Sequence, residues 1–330
     1  MTDAPPRSRI RRLLVRALAS VPVLAVLALA SLYAYAGPYG FNVIFRRGLW
    51  VNVPVAADDA RLSAPMRLAL RDPSGAVTAG PLAWRAVATG FDVAELAVLA
   101  DGSEVDRILL ARIDPAHFRF VVRSAPAGNR DLDAWMRELG AALVINGSYF
   151  SRDGTPDTPV VSAGARLGPR HYIANHGAFV ASPRSVGVRD FANLDWHIAL
   201  RGAEDAMISY PLLLARDGSS RVKADPRWLA NRSFVAEDHD GRIVVGTTAG
   251  AFFSLERLAA FLRDSPLDLA IALNLDGGPV ACQGIAFNGY RRNACGRAEL
   301  SARDGQLRLL TPVFGSVRWS LPIVLAVLPR

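Results

Sequence analysis

The chain is 330 residues long, 51% hydrophobic and 21% charged, a globular composition with room for one large or two ordinary domains and a buried core. Its net charge of +8 sits at one end: residues 1–47 hold Arg7, Arg9, Arg11, Arg12, Arg16, Arg46 and Arg47 against Asp3, which leaves only +2 for the rest. That nearly neutral body has no basic run interleaved with aromatics, so no nucleic-acid partner is expected.

From Leu18 to Ala36 the sequence is apolar and uncharged, long enough to cross a bilayer. Five arginines precede it, and Tyr33, Tyr35 and Tyr39 stand where an interfacial aromatic belt belongs. Residues 1–40 are therefore expected to be a basic cytoplasmic tail and a single-pass anchor in the inner (cytoplasmic) membrane, with the body in the periplasm or outside the cell. Ala34-Tyr35-Ala36 also fits a signal-peptidase site, so a cleaved signal peptide is the alternative, and export holds in both cases. Residues 41–83 mix short apolar runs with Pro54, Pro65, Pro73, Gly75, Gly80 and Pro81, which reads as a stalk or as lead-in strands.

The main body, residues 84–330, follows. Residues 108–113 and 118–122 read as strands on either side of Asp114-Pro115. Asp131 then caps a helix with Leu132, Trp135, Met136 and Leu139 at i, i+3, i+4 and i+7, and Gly140 ends it. A strand over residues 141–145 runs into Asn146-Gly147-Ser148-Tyr149-Phe150. Residues 233–237 and 242–248 form a hairpin around Asp238-His239-Asp240-Gly241. Ser254 caps a second helix, with Leu255, Leu258, Ala259 and Leu262 on one side.

The strand after that helix carries the strongest signal. Side chains alternate, so Leu269, Ile271, Leu273 and Leu275 share one face and Ala270, Ala272, Asn274 and Asp276 the other. The two alanines are expected to leave space above the sheet, into which Asn274 and Asp276 project, and Gly277-Gly278 lets backbone come close to a ligand. An ordinary Asp-Gly turn is the alternative. This strand and the one at residue 141 each follow a helix and each end in asparagine before glycine, so their ends could line one pocket.

Asn288-Gly289 marks a two-residue hairpin turn that sets Phe287 opposite Tyr290 and, counting outward, Cys282 opposite Cys295 in a non-hydrogen-bonded pair. In an oxidising compartment that register predicts a disulfide; a single bulge would instead leave two buried thiols. Residues 321–328 are too few to span a membrane and read as a last strand. The expected class is α+β, with a mixed, largely antiparallel sheet and a few packed helices behind one N-terminal transmembrane helix.

In order and spacing, Asn146-Gly-Ser-Tyr-Phe150, Asn231-Arg-Ser-Phe-Val-Ala236 and Asn274-Leu-Asp-Gly-Gly278 resemble the phosphodiester glycosidase family over about residues 84–330. The chain departs from the family pattern at Ser148, Tyr149, Ala236, Tyr210 and Pro279-Val280. The resemblance implies an exported, membrane-anchored hydrolase that cleaves a sugar from a phosphate-linked glycan, such as an exopolysaccharide, or a related sugar phosphate of the cell envelope. A phosphate monoester leaves readily, so one carboxylate and one cation can replace the usual carboxylate pair. Asp276 is the candidate nucleophile or base, Arg232 the bidentate phosphate clamp and His176 a proton donor near neutral pH. Asn146, Gly147, Tyr149, Ser233, Asn274, Gly277 and Gly278 are the candidate substrate-binding residues. The alternative is a catalytically inert glycan-binding or assembly protein of the envelope. Glu237-Asp238-His239-Asp240 would split its ligand atoms between two strand faces, and no nucleotide or metalloprotease motif occurs, so neither a metal nor another cofactor is expected.

Overall fold

Alternating apolar residues and tight turns build this body from sheets. In the computed structural model, which describes residues 7–46, 50–223, 225–312 and 319–330, every strand pairing is antiparallel. Residues 1–6 of the expected tail and 47–49 of the expected lead-in lie outside the described residues.

The largest sheet has the order Leu212–Leu214, Leu269–Asn274, Ser233–Asp238, Ile243–Thr248, Ser103–Ile113, Phe91–Ala100 and Thr78–Ala79, with Arg85–Ala88 also pairing to Phe91–Ala100. A five-stranded sheet has the order Tyr290–Cys295, Cys282–Phe287, Leu143–Asn146, Ile323–Pro329 and Phe118–Ser124. The two share one apolar core with a second five-stranded sheet that contains Gly177–Ala181 and Asp205–Ser209; Phe120, Ile145, Phe179, Val235, Val245, Leu273 and Leu325 are all buried in it. Each such side chain contributes about 1.5–3 kcal/mol on burial, so packing between sheets rather than strand propensity holds these short strands in place.

A second core covers the other face of the largest sheet. It joins Phe234 and Ala272 to Leu258, Phe261 and Leu262 of helix Leu255–Asp264 and to Leu300 and Leu309 of a four-stranded sheet. The space expected above Ala272 is thus filled: a residue this small lets the helix approach. The expected sharing of one face by Leu269 and Ile271 also fails. The register shifts between Glu237↔Ile271 and Asp238↔Leu269, and this irregularity turns Leu269 into the second core while Ile271 stays in the first.

Both helix caps form where the sequence places them. The Asp131 carboxylate accepts from Ala134 N at 2.9 Å, and Ser254 Oγ accepts from Arg257 N at 3.2 Å. Strand Trp50–Val55 pairs along its length with Gln306–Pro312, and helix Ala64–Arg71 buries Met66 and Ala69, so this part of residues 41–83 is built into the body. Strand Ile323–Pro329 lies between Leu143–Asn146 and Phe118–Ser124. Cys282 faces Cys295 with Cα atoms 4.0 Å apart and a disulfide joins them, in the register that the Asn288-Gly289 turn sets. Helix Arg7–Arg46 contains one segment, Leu18–Ile44, long and apolar enough to cross a membrane, and it kinks at Gly37, whose φ is 66°.

Candidate active site

Two strand ends meet at the site. Leu143–Asn146 and Leu269–Asn274 belong to different sheets, yet Asp276 N donates to Gly147 O at 3.1 Å and Asn146 Nδ2 donates to Asp276 O at 2.7 Å. Asn146 Oδ1 also accepts from Cys282 N at 3.0 Å. Asn146 is buried and its amide is used inside the protein, so it holds the backbone that presents Asp276. Gly147 is needed for close approach: a Cβ there would lie 2.5 Å from Ile323 Cγ2.

Beyond Asp276 the chain tightens. Asp276 Oδ1 accepts from Gly277 N at 2.9 Å, and Gly278 N donates to Asn231 O at 2.8 Å. Gly278 has φ +65°, and a Cβ there would lie 2.5 Å from Glu299 Oε2. Glu299 Oε1 in turn accepts from Trp228 Nε1 at 3.0 Å.

Arg232 lies beneath this glycine loop and is almost fully buried. Its Nε donates to Phe253 O at 3.2 Å and its Nη2 to Trp228 O at 2.8 Å. A Cβ on Gly277 would come within 3.4 Å of Nη1. Burial lowers the Arg232 pKa, while Tyr149, Glu299, Asp225 and Asp276 raise it. Nε and one proton of Nη2 are thus spent on carbonyls, which leaves Nη1 and the second Nη2 proton on the side of the glycine loop. The pinned guanidinium is a fixed positive charge behind the loop that carries Asp276.

Asn274 Nδ2 donates to Tyr149 Oη at 2.7 Å and to Tyr210 O at 3.1 Å, and Tyr149 Oη donates to Tyr210 O at 2.8 Å. Asn274 is fully buried and its Oδ1 meets no donor among the described residues. The Tyr149 and Tyr210 rings stack with centroids 4.2 Å apart and planes 21° apart. Two departures from the family pattern thus form one aromatic wall. Burial, with Asp276 and Tyr210 nearby, raises the Tyr149 pKa well above the usual phenol range, so this phenol stays protonated as a donor.

Two expected residues are placed differently. Ser233 Oγ bonds Thr247 Oγ1 at 2.9 Å, buried, and strand alternation sets it beside Val235 on the inner core face rather than with Asn274. His176 sits at the rim, its ring 6.2 Å from Tyr210, and Nδ1 accepts from Leu212 N at 3.3 Å. Burial and the cations Arg221 and Lys223 lower its pKa, which disfavours the imidazolium that a proton donor near neutral pH requires.

Asp157 escaped sequence reasoning. Its N donates to Tyr149 O at 3.0 Å, and burial first, then Asp157 and Asp276, raise the Tyr210 pKa. Burial and the carboxylate of Asp153 raise that of Asp157 itself. No local pattern marks it; only the fold brings it to Tyr149. Among the described residues no group of three or more His, Cys, Asp or Glu is arranged to hold a metal.

Residues 139–285 match the phosphodiester glycosidase family. The match contains all three motif segments and with them Asn146, Arg232, Asn274 and Asp276. No curated protein matches the chain in sequence. Among solved structures, the chain is similar to a hypothetical protein from Synechocystis (TM-score 0.48, 15% identity, 76% of this chain and 64% of that one). It thus spans 64% of the length of that protein. It is also similar to the catalytic domain of zebrafish N-acetylglucosamine-1-phosphodiester alpha-N-acetylglucosaminidase auto-inhibited by its pro-peptide (TM-score 0.49, 14% identity, 85% of this chain and 88% of that one).

Proposed function

We propose that this protein is an exported, membrane-anchored hydrolase that cleaves a sugar from a phosphodiester at its anomeric carbon. The observation that carries the reading is the hydrogen-bonded meeting of two strand ends within the family match, which fixes Asp276 over a buried guanidinium. Asp276 serves as nucleophile or as base for water. Arg232 supplies a fixed positive potential toward the phosphate, preorganised because its side chain is already pinned. Asn274 and Tyr149 hold the aromatic wall in place through their mutual hydrogen bond and their bonds to Tyr210 O, and the face of Tyr210, 38% exposed, packs on the sugar ring. Asp157, close to the same tyrosine pair, is the second carboxylate that assists proton transfer.

The test offers the full chain a sugar joined through its anomeric carbon to a methyl phosphate, beside Asp276→Asn. Turnover in the parent and a fall of about a thousandfold in the variant, with unchanged unfolding, supports the reading. Saturable binding with no turnover in the parent supports instead an inert glycan-binding protein.

A further inference from the structure

The anchor helix does not end at the membrane; its last turns rest on the body. Along Leu18 to Tyr35 the large apolar side chains other than Leu32 are exposed, but Ala36 is 3% and Val43 0% exposed. Those eighteen residues rise about 27 Å, close to the thickness of a hydrocarbon core. From there on the helix meets protein. Asn42 Nδ2 donates to Ala127 O at 2.6 Å, a Cβ on Gly128 would lie 3.1 Å from Val43 Cα, and a Cβ on Gly40 would lie 2.7 Å from Arg152 O. The guanidinium of Arg152 sits 4.6 Å over the ring of Tyr35, a residue 62% exposed. A cleft of about 470 Å³ opens between the kink and loop, lined by Tyr35, Pro38, Tyr39, Ser151, Arg152 and Asp153.

The loop that holds the helix is the loop that leaves the candidate site. Arg152 is three residues after Tyr149, so at most about 11 Å of backbone separates the aromatic wall from the residue that meets the helix. Ser151 N donates to Thr155 O at 2.9 Å, and the chain returns at once to Asp157, whose N is bonded to Tyr149 O. The site is thus tied to the membrane interface through a short, turn-closed loop. A long stalk, which would suit a soluble polymer, is not what the chain provides.

We propose that the phosphodiester substrate is a lipid: a sugar whose phosphate is esterified to a hydrophobic alcohol held in the leaflet that surrounds the anchor. Arg152, at the depth of lipid headgroups, positions the anionic phosphate end. In the reaction the oxygen of water bonds to the anomeric carbon, and the bond from that carbon to the phosphate oxygen breaks with its electron pair on the phosphate. One water proton stays on the sugar hydroxyl and the other leaves through Asp276 to phosphate or solvent. The lipid monophosphate remains in the bilayer and the sugar is released.

This inference rests on the hydrolase reading, and the experiment separates the two. The full chain is reconstituted in phosphatidylcholine vesicles with an N-acetylglucosaminyl phosphate ester of a polyprenol in the same bilayer, or with the methyl ester of the same sugar phosphate in solution. The lipid ester is expected to turn over at least about tenfold faster at equal bulk concentration, because the docked helix end holds the site at the depth of the lipid phosphate. Asn42→Ala combined with Val43→Ala, which frees the helix end, is expected to abolish that advantage and leave methyl ester turnover unchanged. Equal or faster turnover of the methyl ester, or of a soluble phosphate-linked polysaccharide, overturns the inference and leaves the hydrolase reading standing. Turnover of none of the three overturns both.

Discussion

The buried Asn146 amide donates to Asp276 O and accepts from Cys282 N, so it ties both to one strand end. Removing it leaves both partners unsatisfied, and each orphaned buried group costs about 1–3 kcal/mol. Asn146→Ala is therefore expected to lose on the order of 2–4 kcal/mol in urea unfolding, with activity falling further because Asp276 loses its register. Asp106 acts at longer range. Its Oδ1 accepts from Arg107 N and Gly250 N, both at 2.7 Å, and so fixes the loop that ends at Phe253, whose carbonyl receives Arg232. Burial pushes the carboxyl of Asp106 up to about 6, against the backbone donors that favour its charged form. The folded state then holds this proton more tightly than the unfolded chain, so stability falls as pH rises between about 4 and 6 and levels off above. The amplitude is on the order of 3 kcal/mol. Denaturant midpoints across that range are expected to show the slope in the parent and to lose it in Asp106→Asn.

At the scale of elements, the hairpin Cys282–Phe287 and Tyr290–Cys295 is closed at its site end by the disulfide and by Gly296 N donating to Ala281 O at 2.6 Å. Ala281 follows directly on the glycine loop, so the bridge braces the segment that positions Asp276. Closing a loop of this length stabilises by about 3 kcal/mol in the chain-entropy account. The double variant Cys282→Ser with Cys295→Ser is expected to lower stability by that order in thermal unfolding, while an unchanged melting temperature would show that the hairpin is held by its neighbours alone.

For the whole molecule, the anchor reading and the cleaved-signal reading differ in a measurable mass. Retention of Leu18 to Tyr35 keeps the contact of Tyr35 with Arg152, and the mature protein should then resist alkaline carbonate extraction from membranes. A mature N-terminus at Gly37 would decide for cleavage. The nearly neutral body agrees with this picture: association with membrane is expected to be insensitive to salt, as insertion of an apolar helix is and adsorption through charge is not.

Features that depend on neighbours along the chain are legible in the residues alone. Period-two alternation, the Asn288-Gly289 turn and the Asp131 and Ser254 caps act over a few residues, so strands, hairpin register, cysteine pairing and helix starts were legible, as was the apolar helix. The meeting of the strand ends at Asn146 and Asp276 was legible only as an option, since 130 residues separate them. Tertiary structure decided the rest. One register shift sent Leu269 to the opposite core, helix Leu255–Asp264 filled the space over Ala272, and strand alternation turned Ser233 inward. Burial holds Arg232 behind the glycine loop, and loop closure brought Asp157 to Tyr149 and the apolar helix to Arg152. Periodicity fixes which face a side chain takes; which strand end, loop or charge it then meets is set by packing between layers, and no local pattern encodes that.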